Sequence, residues 1–337
     1  MDRTRVSVFV AQSLFGVIML VLWTRFVDLG TVLRSYGEVQ WLLLPLAAIF
    51  YLIATGLRVL RWQLILRPIA RIAPTHVYLI AMVGALVNYA IPLRTGDLVK
   101  PVLLRRRVGV AMAASLPTVM LDKVFDLVAV LLLGILGWLL ITPLDGRVPL
   151  MISASALLLL GFLTFTALAL AARPLLLRAL RWALPSWVRA SNRTAILSTA
   201  ENLLKGFGAV KRPPQELLLF LLLSLLAILL DGLFFHILFL SLRAEPSLVT
   251  SLVGSALLAL SYLVPSAPGY LGTTEAFGSL IFNALGVEPA LAASTVVLGH
   301  ALTALLVISL GGVSLWLLEM SPLATLRVLT GEPSSPE

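Results

Sequence analysis

Apolar residues in this chain run in long unbroken blocks. The stretches 6–24, 40–57, 115–141, 150–171, 217–240 and 291–318 are each long enough to cross about 30 Å of hydrocarbon as a helix. Three further stretches, 76–91, 247–264 and 268–285, are shorter or interrupted. The first stops at Pro92. The other two are separated by Pro265-Ser266-Ala267-Pro268-Gly269, which no continuous helix tolerates. The pattern predicts an all-α polytopic membrane protein with six full transmembrane helices and two pairs of re-entrant or broken helices.

Composition agrees: 60% of the residues are hydrophobic and 12% charged, against about a quarter charged in a soluble domain. The net charge of +9 then has a topological explanation rather than a nucleic-acid partner, because Lys and Arg collect in untranslocated loops. If only the six long stretches span, Arg3, Arg5, the basic 58–114 region, the 172–216 loop and the C-terminal tail share one side. Arg25, Arg34, Arg147 and Arg243 are left on the other. Were 76–91 also to cross, the basic 172–216 loop would move to the translocated side. The expectation is therefore a multi-pass protein of the cell (inner) membrane with both termini cytoplasmic. Met1 to Arg5 and the apolar Val6 to Trp23 offer no small-x-small cleavage site, so the first span is expected to be retained. The loop 172–216 interleaves Arg173, Arg178 and Arg181 with leucines and Trp182, as a basic interfacial segment would. The tail 331–337 is polar and expected to be disordered.

The two interrupted regions resemble each other. Asn88-Tyr89-Ala-Ile-Pro92-Leu-Arg94-Thr-Gly96-Asp97 corresponds to Ser261-Tyr262-Leu-Val-Pro265 continuing to Gly269, Gly272 and Glu275. Each follows one long span and precedes another, so units 40–141 and 217–318 match element by element within a single domain, 1–330. An odd number of spans separates their starts, which inverts one unit relative to the other. Inverted repeats with breaks in corresponding helices characterise secondary transporters, and irregular backbone at membrane depth belongs where it lines a cavity.

Ionisable residues inside spans cost on the order of 3 kcal/mol each on insertion scales. Asp122 and Asp126 share a helix face, and Lys123 is spaced to pair with Asp126. Asp231 and His236 fall in the fifth span and His300 in the sixth. Asp97 precedes Asp122 by as many residues as Glu275 precedes His300. These groups fit a transport path, and they fit structural ion pairs and helix–helix hydrogen bonds as well. Arg94, inside the first break, is placed to hold a phosphate bidentately. Candidate substrate-binding residues are Asn88, Tyr89, Arg94, Asp97, Gly269, Gly272 and Glu275. Candidate coupling or intramembrane charges are Asp122, Lys123, Asp126, Asp231 and His300. There are no cysteines, so disulfides, thiolate catalysis and Cys-based metal sites are excluded. No nucleotide-binding, H-E-x-x-H or G-x-S-x-G motif occurs, and the three histidines are scattered. No catalytic residue, metal or cofactor is expected, and no enzyme activity.

The first break with its continuation to Lys100, the motif Asp122-Lys123-Val-Phe-Asp126, and Pro265 through Glu275 together resemble the transmembrane domain of bacterial lysylphosphatidylglycerol synthases and its stand-alone flippase-like relatives. The resemblance covers about 6–320. It implies an integral membrane flippase or transporter for a polar-headgroup lipid: a phospholipid, an aminoacyl lipid or a glycolipid. Two departures keep charge but change chemistry: Asp97 stands where the family pattern usually has Glu, and Lys123 where it has Arg. With only a short tail after the last span, a synthase domain is not expected. The alternative is a non-transporting scaffold or partner for a separate glycosyltransferase or lipid-modifying enzyme.

Overall fold

The computed structural model describes residues 3–91, 95–140, 212–262 and 266–320, with isolated positions between 153 and 201. Every regular element among them is helical. The helices are α1 (Arg3–Phe26), α2 (Leu29–Ser35), α3 (Leu44–Leu66), α4 (Pro74–Ala90), α5 (Gly96–Val108), α6 (Met112–Leu140), α7 (Pro214–Ser241), α8 (Leu248–Ser261), α9 (Thr273–Ala284) and α10 (Pro289–Leu317). Most of the expected span 150–171 and of the loop 172–216 lies outside the described residues, as do Pro92, Arg94, Pro265 and the tail 331–337.

Local chemistry sets the helix ends. α4, α7 and α10 each begin on a proline, whose missing N–H is no loss at a helix start. Glu288 accepts the N–H groups of Ala290 (3.0 Å) and Leu291 (2.8 Å) at the head of α10. Gly109, left-handed at φ 74°, ends α5. Basic residues close two C-termini: Arg212 donates to the Ile65 carbonyl at 3.1 Å, and Arg107 to the Leu318 carbonyl.

Three helical segments are long and apolar enough to cross a membrane: 41–66, Pro214–Ser241 and Pro289–Leu317. A fourth candidate is the pair Gln12–Phe26 and Leu29–Glu38, bent by 86°. The chain is thus a multi-pass membrane protein. At the bend, Asp28 caps α2 by accepting the Gly30 N–H at 2.9 Å. The single apolar stretch 6–24 is therefore the first arm of an angled pair, and α2 returns to α10, where Tyr36 donates to the Ser294 carbonyl at 3.0 Å.

Apart from α2, the short helices come in two pairs, α4 with α5 and α8 with α9, and each pair packs on itself. α4 has 17 residues and α8 has 14, at or below the length a full crossing needs. Their packing is reciprocal. α4, the second helix of the first set of four, lies against α10, the last of the second set; α8 lies against α6 in the same relation; and α3 and α7 pack on each other. One core gathers Phe234, Phe235, Leu238, Phe239 and Phe282 and borrows Leu131 from α6. The other gathers Trp62, Ile80, Val83, Leu103 and Leu104 and borrows Leu315 from α10.

Glycine permits the close approach within each break. A Cβ on Gly96 would sit 1.9 Å from the Gly84 carbonyl oxygen, so α5 crosses α4 backbone to backbone. A Cβ on Gly272 would sit 2.0 Å from the Gly16 oxygen of α1, and Gly272 is also left-handed at φ 80°.

Candidate functional site

Where the two short pairs meet α3, α6, α7 and α10, a cavity of about 350 Å³ opens. It takes Arg58 and Tyr51 from α3, Asn88 and Tyr89 from α4, Lys123 and Asp126 from α6, Asp231 from α7, and His300 from α10. Tyr262, Tyr270 and Thr274 complete the second-break side. Four of the chain's six tyrosines therefore face one space. Tyr89 and Tyr262 both pack edge-on against Tyr270, with ring centroids 5.9 and 5.0 Å away.

The charges sort into two groups. On the α3–α6–α7 side, Arg61 is fully buried; its Nε lies 2.8 Å from Asp122 Oδ1 and its Nη1 2.8 Å from Asp126 Oδ1, with Ser224 as a further partner. Arg58, one turn away on the same helix, pairs bidentately with Asp231, one contact being 3.3 Å, and its Nε reaches Asp126 at 3.8 Å. Two guanidiniums thus serve three carboxylates. A fixed fork geometry and a charge that never leaves suit Arg to this place. The Lys123–Asp126 pair expected from spacing is replaced: Asp126 takes its cations from α3, and Lys123 lies 3.9 Å from Asp97. Asp97, in the first turn of α5, also receives Lys100 at 3.1 Å.

The second group is the counterpart at the other break. Glu275, in the first turn of α9, accepts the Gly272 N–H at 2.7 Å through Oε2, and its Oε1 lies 2.5 Å from His300 Nδ1. His300 Nε2 lies 2.6 Å from the Gly269 carbonyl and 2.7 Å from the Tyr89 hydroxyl. Tyr89 of the first break therefore touches, through one imidazole, the acid and the turn of the second. Two polar atoms lining the cavity, Asn88 Oδ1 and Thr274 Oγ1, are buried without a hydrogen-bond partner in the protein.

Of the predicted site residues, the structure brings Asn88, Tyr89, Lys123, Asp126, Asp231 and His300 to the cavity wall. Glu275, Gly269 and Gly272 stand immediately behind His300. Asp97 joins through Lys123, and Asp122 lies beneath Arg61. His236 does not join; its Nδ1 meets Ser251 at 3.1 Å. Arg58 and Arg61 were not among the predicted residues, because the apolar stretch ends at 57 while α3 continues to Leu66. The signal was the unbalanced set of Asp122, Asp126 and Asp231 within spans, which demands cations at the same depth. Among the described residues, no cluster of His, Asp or Glu is suited to a metal ion.

Residues 6–311 match the family described as the lysylphosphatidylglycerol synthase TM region. A UPF0104 membrane protein of Pyrococcus horikoshii is 26% identical over 313 residues, covering 88% of this chain and 92% of the relative. The glycosyltransferase AglD of Haloferax volcanii is 28% identical over 131 residues, 38% of this chain and 20% of that protein. No solved structure matches.

Proposed function

The chain belongs to the lysylphosphatidylglycerol synthase transmembrane family, and on that premise we propose that it moves a polar-headgroup lipid between the leaflets of the cell membrane. The observation that carries this reading is the cavity between the two helix breaks, with its balanced charges and with Asn88 Oδ1 and Thr274 Oγ1 left without protein partners. At about 350 Å³ the space is the size of a small-ligand site. It suits a head group whose acyl chains stay in the bilayer. Asn88 and Thr274 would meet its polar atoms, the tyrosines its flat or alkyl faces, and Arg58, Lys123 and Arg94 its phosphate. Asp97 and Glu275 would stand beside it in the first turns of α5 and α9.

Six full crossings, cytoplasmic termini and two inverted units, 40–141 and 217–318, belong to the same proposal. The reciprocal packing of α4 on α10 and α8 on α6 supports them, since a two-fold axis in the membrane plane requires that exchange. In this reading the two units alternately expose the cavity, and no covalent chemistry or cofactor is involved. The test is leaflet exchange of fluorescent anionic, zwitterionic and cationic lipids in proteoliposomes. Acceleration over empty vesicles for at least one class is expected, and rates equal to empty vesicles for all of them would overturn the reading.

The partial match to a glycosyltransferase favours a second reading, in which this membrane unit works beside a separate glycosyltransferase or lipid-modifying enzyme as its partner. The discriminating result is complementation of a deletion strain. Full rescue by Glu275→Gln and Asp126→Asn together, with loss of rescue on charge reversal in 172–216, would select the partner role.

A further inference from the structure

His300 is held at three points, by Glu275, the Gly269 carbonyl and Tyr89. A carbonyl oxygen only accepts hydrogen bonds, so the 2.6 Å contact between Nε2 and the Gly269 oxygen needs a proton on Nε2. With Nε2 protonated, the 2.5 Å contact between Nδ1 and Glu275 Oε1 needs a second proton. It is either an imidazolium against a carboxylate or a neutral imidazole against a carboxylic acid, and the two descriptions hold the same number of protons.

We propose that Glu275 and His300 form a proton-binding site and that its occupancy latches the Pro268–Tyr270 turn to α10. When one proton leaves to the cavity, a single N–H remains for two nitrogens that both face acceptors. The carboxylate keeps it, because a charge-assisted bond is the stronger one. Nε2 then accepts from the Tyr89 hydroxyl at 2.7 Å, and its lone pair faces the Gly269 oxygen. That contact turns repulsive and the turn loses its tie to α10. The turn is ready to move: Gly269 and Tyr270 are both left-handed, at φ 69° and 57°, and a tyrosine holds that conformation only under constraint.

Among the described residues, the ion-pair partner of Glu275 is His300. Tyr89 of α4 and Tyr270 of the turn are neutral hydroxyls, and Tyr36, from the segment after α2, meets α10 at Ser294 instead. Across the cavity Arg58 and Lys123 oppose Asp126 and Asp231, so the far wall is balanced. The proposal deepens the transport reading, and rests on it only for the step from latch release to lipid movement.

The chain has no cysteine, so a trifluoromethyl label on Leu271→Cys, beside the turn and 56% exposed, reports the break alone. In lipid nanodiscs its fluorine resonance is expected to move between two positions as the pH is varied and the proton is taken up or released. The pH response should vanish with His300→Gln, and with Glu275→Gln, whose amide N–H can serve Nδ1 and leave the remaining proton on Nε2. A pH-invariant line, or an unchanged titration in His300→Gln, overturns the proposal. Leaflet exchange measured on the same variants separates the two claims. A titrating latch with no lipid movement sinks the transport reading alone, whereas lipid movement with an invariant line sinks the latch alone.

Discussion

The acid after each break occupies the same architectural place and is held in opposite ways. Asp97 and Glu275 both sit in the first turn of the short helix that follows the break, α5 or α9, where the helix dipole favours a carboxylate. Each reaches the long helix that comes next. Asp97 meets Lys123 of α6 at 3.9 Å and Lys100 at 3.1 Å, while Glu275 meets His300 of α10 at 2.5 Å. The first unit thus closes its acid with ammonium groups and adds Arg58 and Arg61, whose charge is permanent. The second unit closes its acid with the side chain that titrates nearest neutrality. The two arrangements thus differ in kind: one acid is met by ammonium groups, the other by an imidazole.

The largest expected effect lies beside the permanent charges of Arg58 and Arg61. Arg61→Ala leaves Asp122 and Asp126 buried without their shared partner, a class of change that costs about 3–5 kcal/mol. The expected outcome is loss of the purified, monodisperse protein, or a large drop in its detergent melting temperature. His300→Ala removes a titratable group rather than a permanent charge and should melt much closer to wild type. Equal damage from both substitutions would erase the comparison.

The next effect tests whether the two breaks are equivalent as backbone devices. Gly96→Ala and Gly272→Ala each drive a methyl into a backbone oxygen, 1.9 Å away at Gly84 and 2.0 Å away at Gly16. Overpacking of this kind costs about 1–3 kcal/mol, and Gly272 adds its left-handed backbone. Both variants should lower the melting temperature, Gly272→Ala by more. Gly37→Ala, with nothing within 4 Å, should leave it unchanged.

A swap addresses function directly. His300→Lys gives the second break the first break's kind of partner, so the pH dependence of leaflet exchange should flatten while the protein stays folded. A His300→Lys profile superimposable on wild type would show that the imidazole is not what sets it.

How much of this was legible beforehand depends on what a residue is surrounded by. The cores of α7 and α10 follow from their unbroken apolar runs, and both breaks follow from Pro and Gly beside Tyr and an acid. α5 was hidden because it carries Asp97, Lys100 and Arg105 to Arg107; it is a polar helix packed inside an apolar protein, and a search for apolar stretches passes over it. Arg58 and Arg61 were hidden for the related reason that they end an apolar run, where cations usually mark the membrane boundary. The helical spacing of Arg61 and Trp62 with buried Ile65 and Leu66 shows that the inward face of α3 continues past them. Equal spacing placed Asp122 opposite His300, but the acid of the first break turned to Lys123, one position on. Only the packing of α5 on α6 decides between those neighbours.

The smallest effects sharpen the comparison most, because they alter reach and leave charge alone. Asp97 is held by ammonium groups, which have no preferred plane and sit on flexible stems. Asp97→Glu should therefore re-form its pairs and shift the melting temperature little, within the roughly 0.5 kcal/mol of a tolerated substitution. Glu275 spans two fixed points, the Gly272 N–H at 2.7 Å and His300 Nδ1 at 2.5 Å, one on its own helix end and one on α10. An aspartate is one methylene too short to keep both, so Glu275→Asp must forfeit one contact, at about 1.5–3 kcal/mol for a hydrogen bond to a charged group. If it keeps the Gly272 bond, the helix cap survives and the link to His300 breaks. Stability then falls modestly while the fluorine titration of the Leu271→Cys label disappears. If it keeps His300 instead, the titration persists and only the α9 terminus frays. A fold-neutral Asp97→Glu beside a Glu275→Asp that loses its pH response would separate an acid that merely needs counter-charge from one that needs a particular partner.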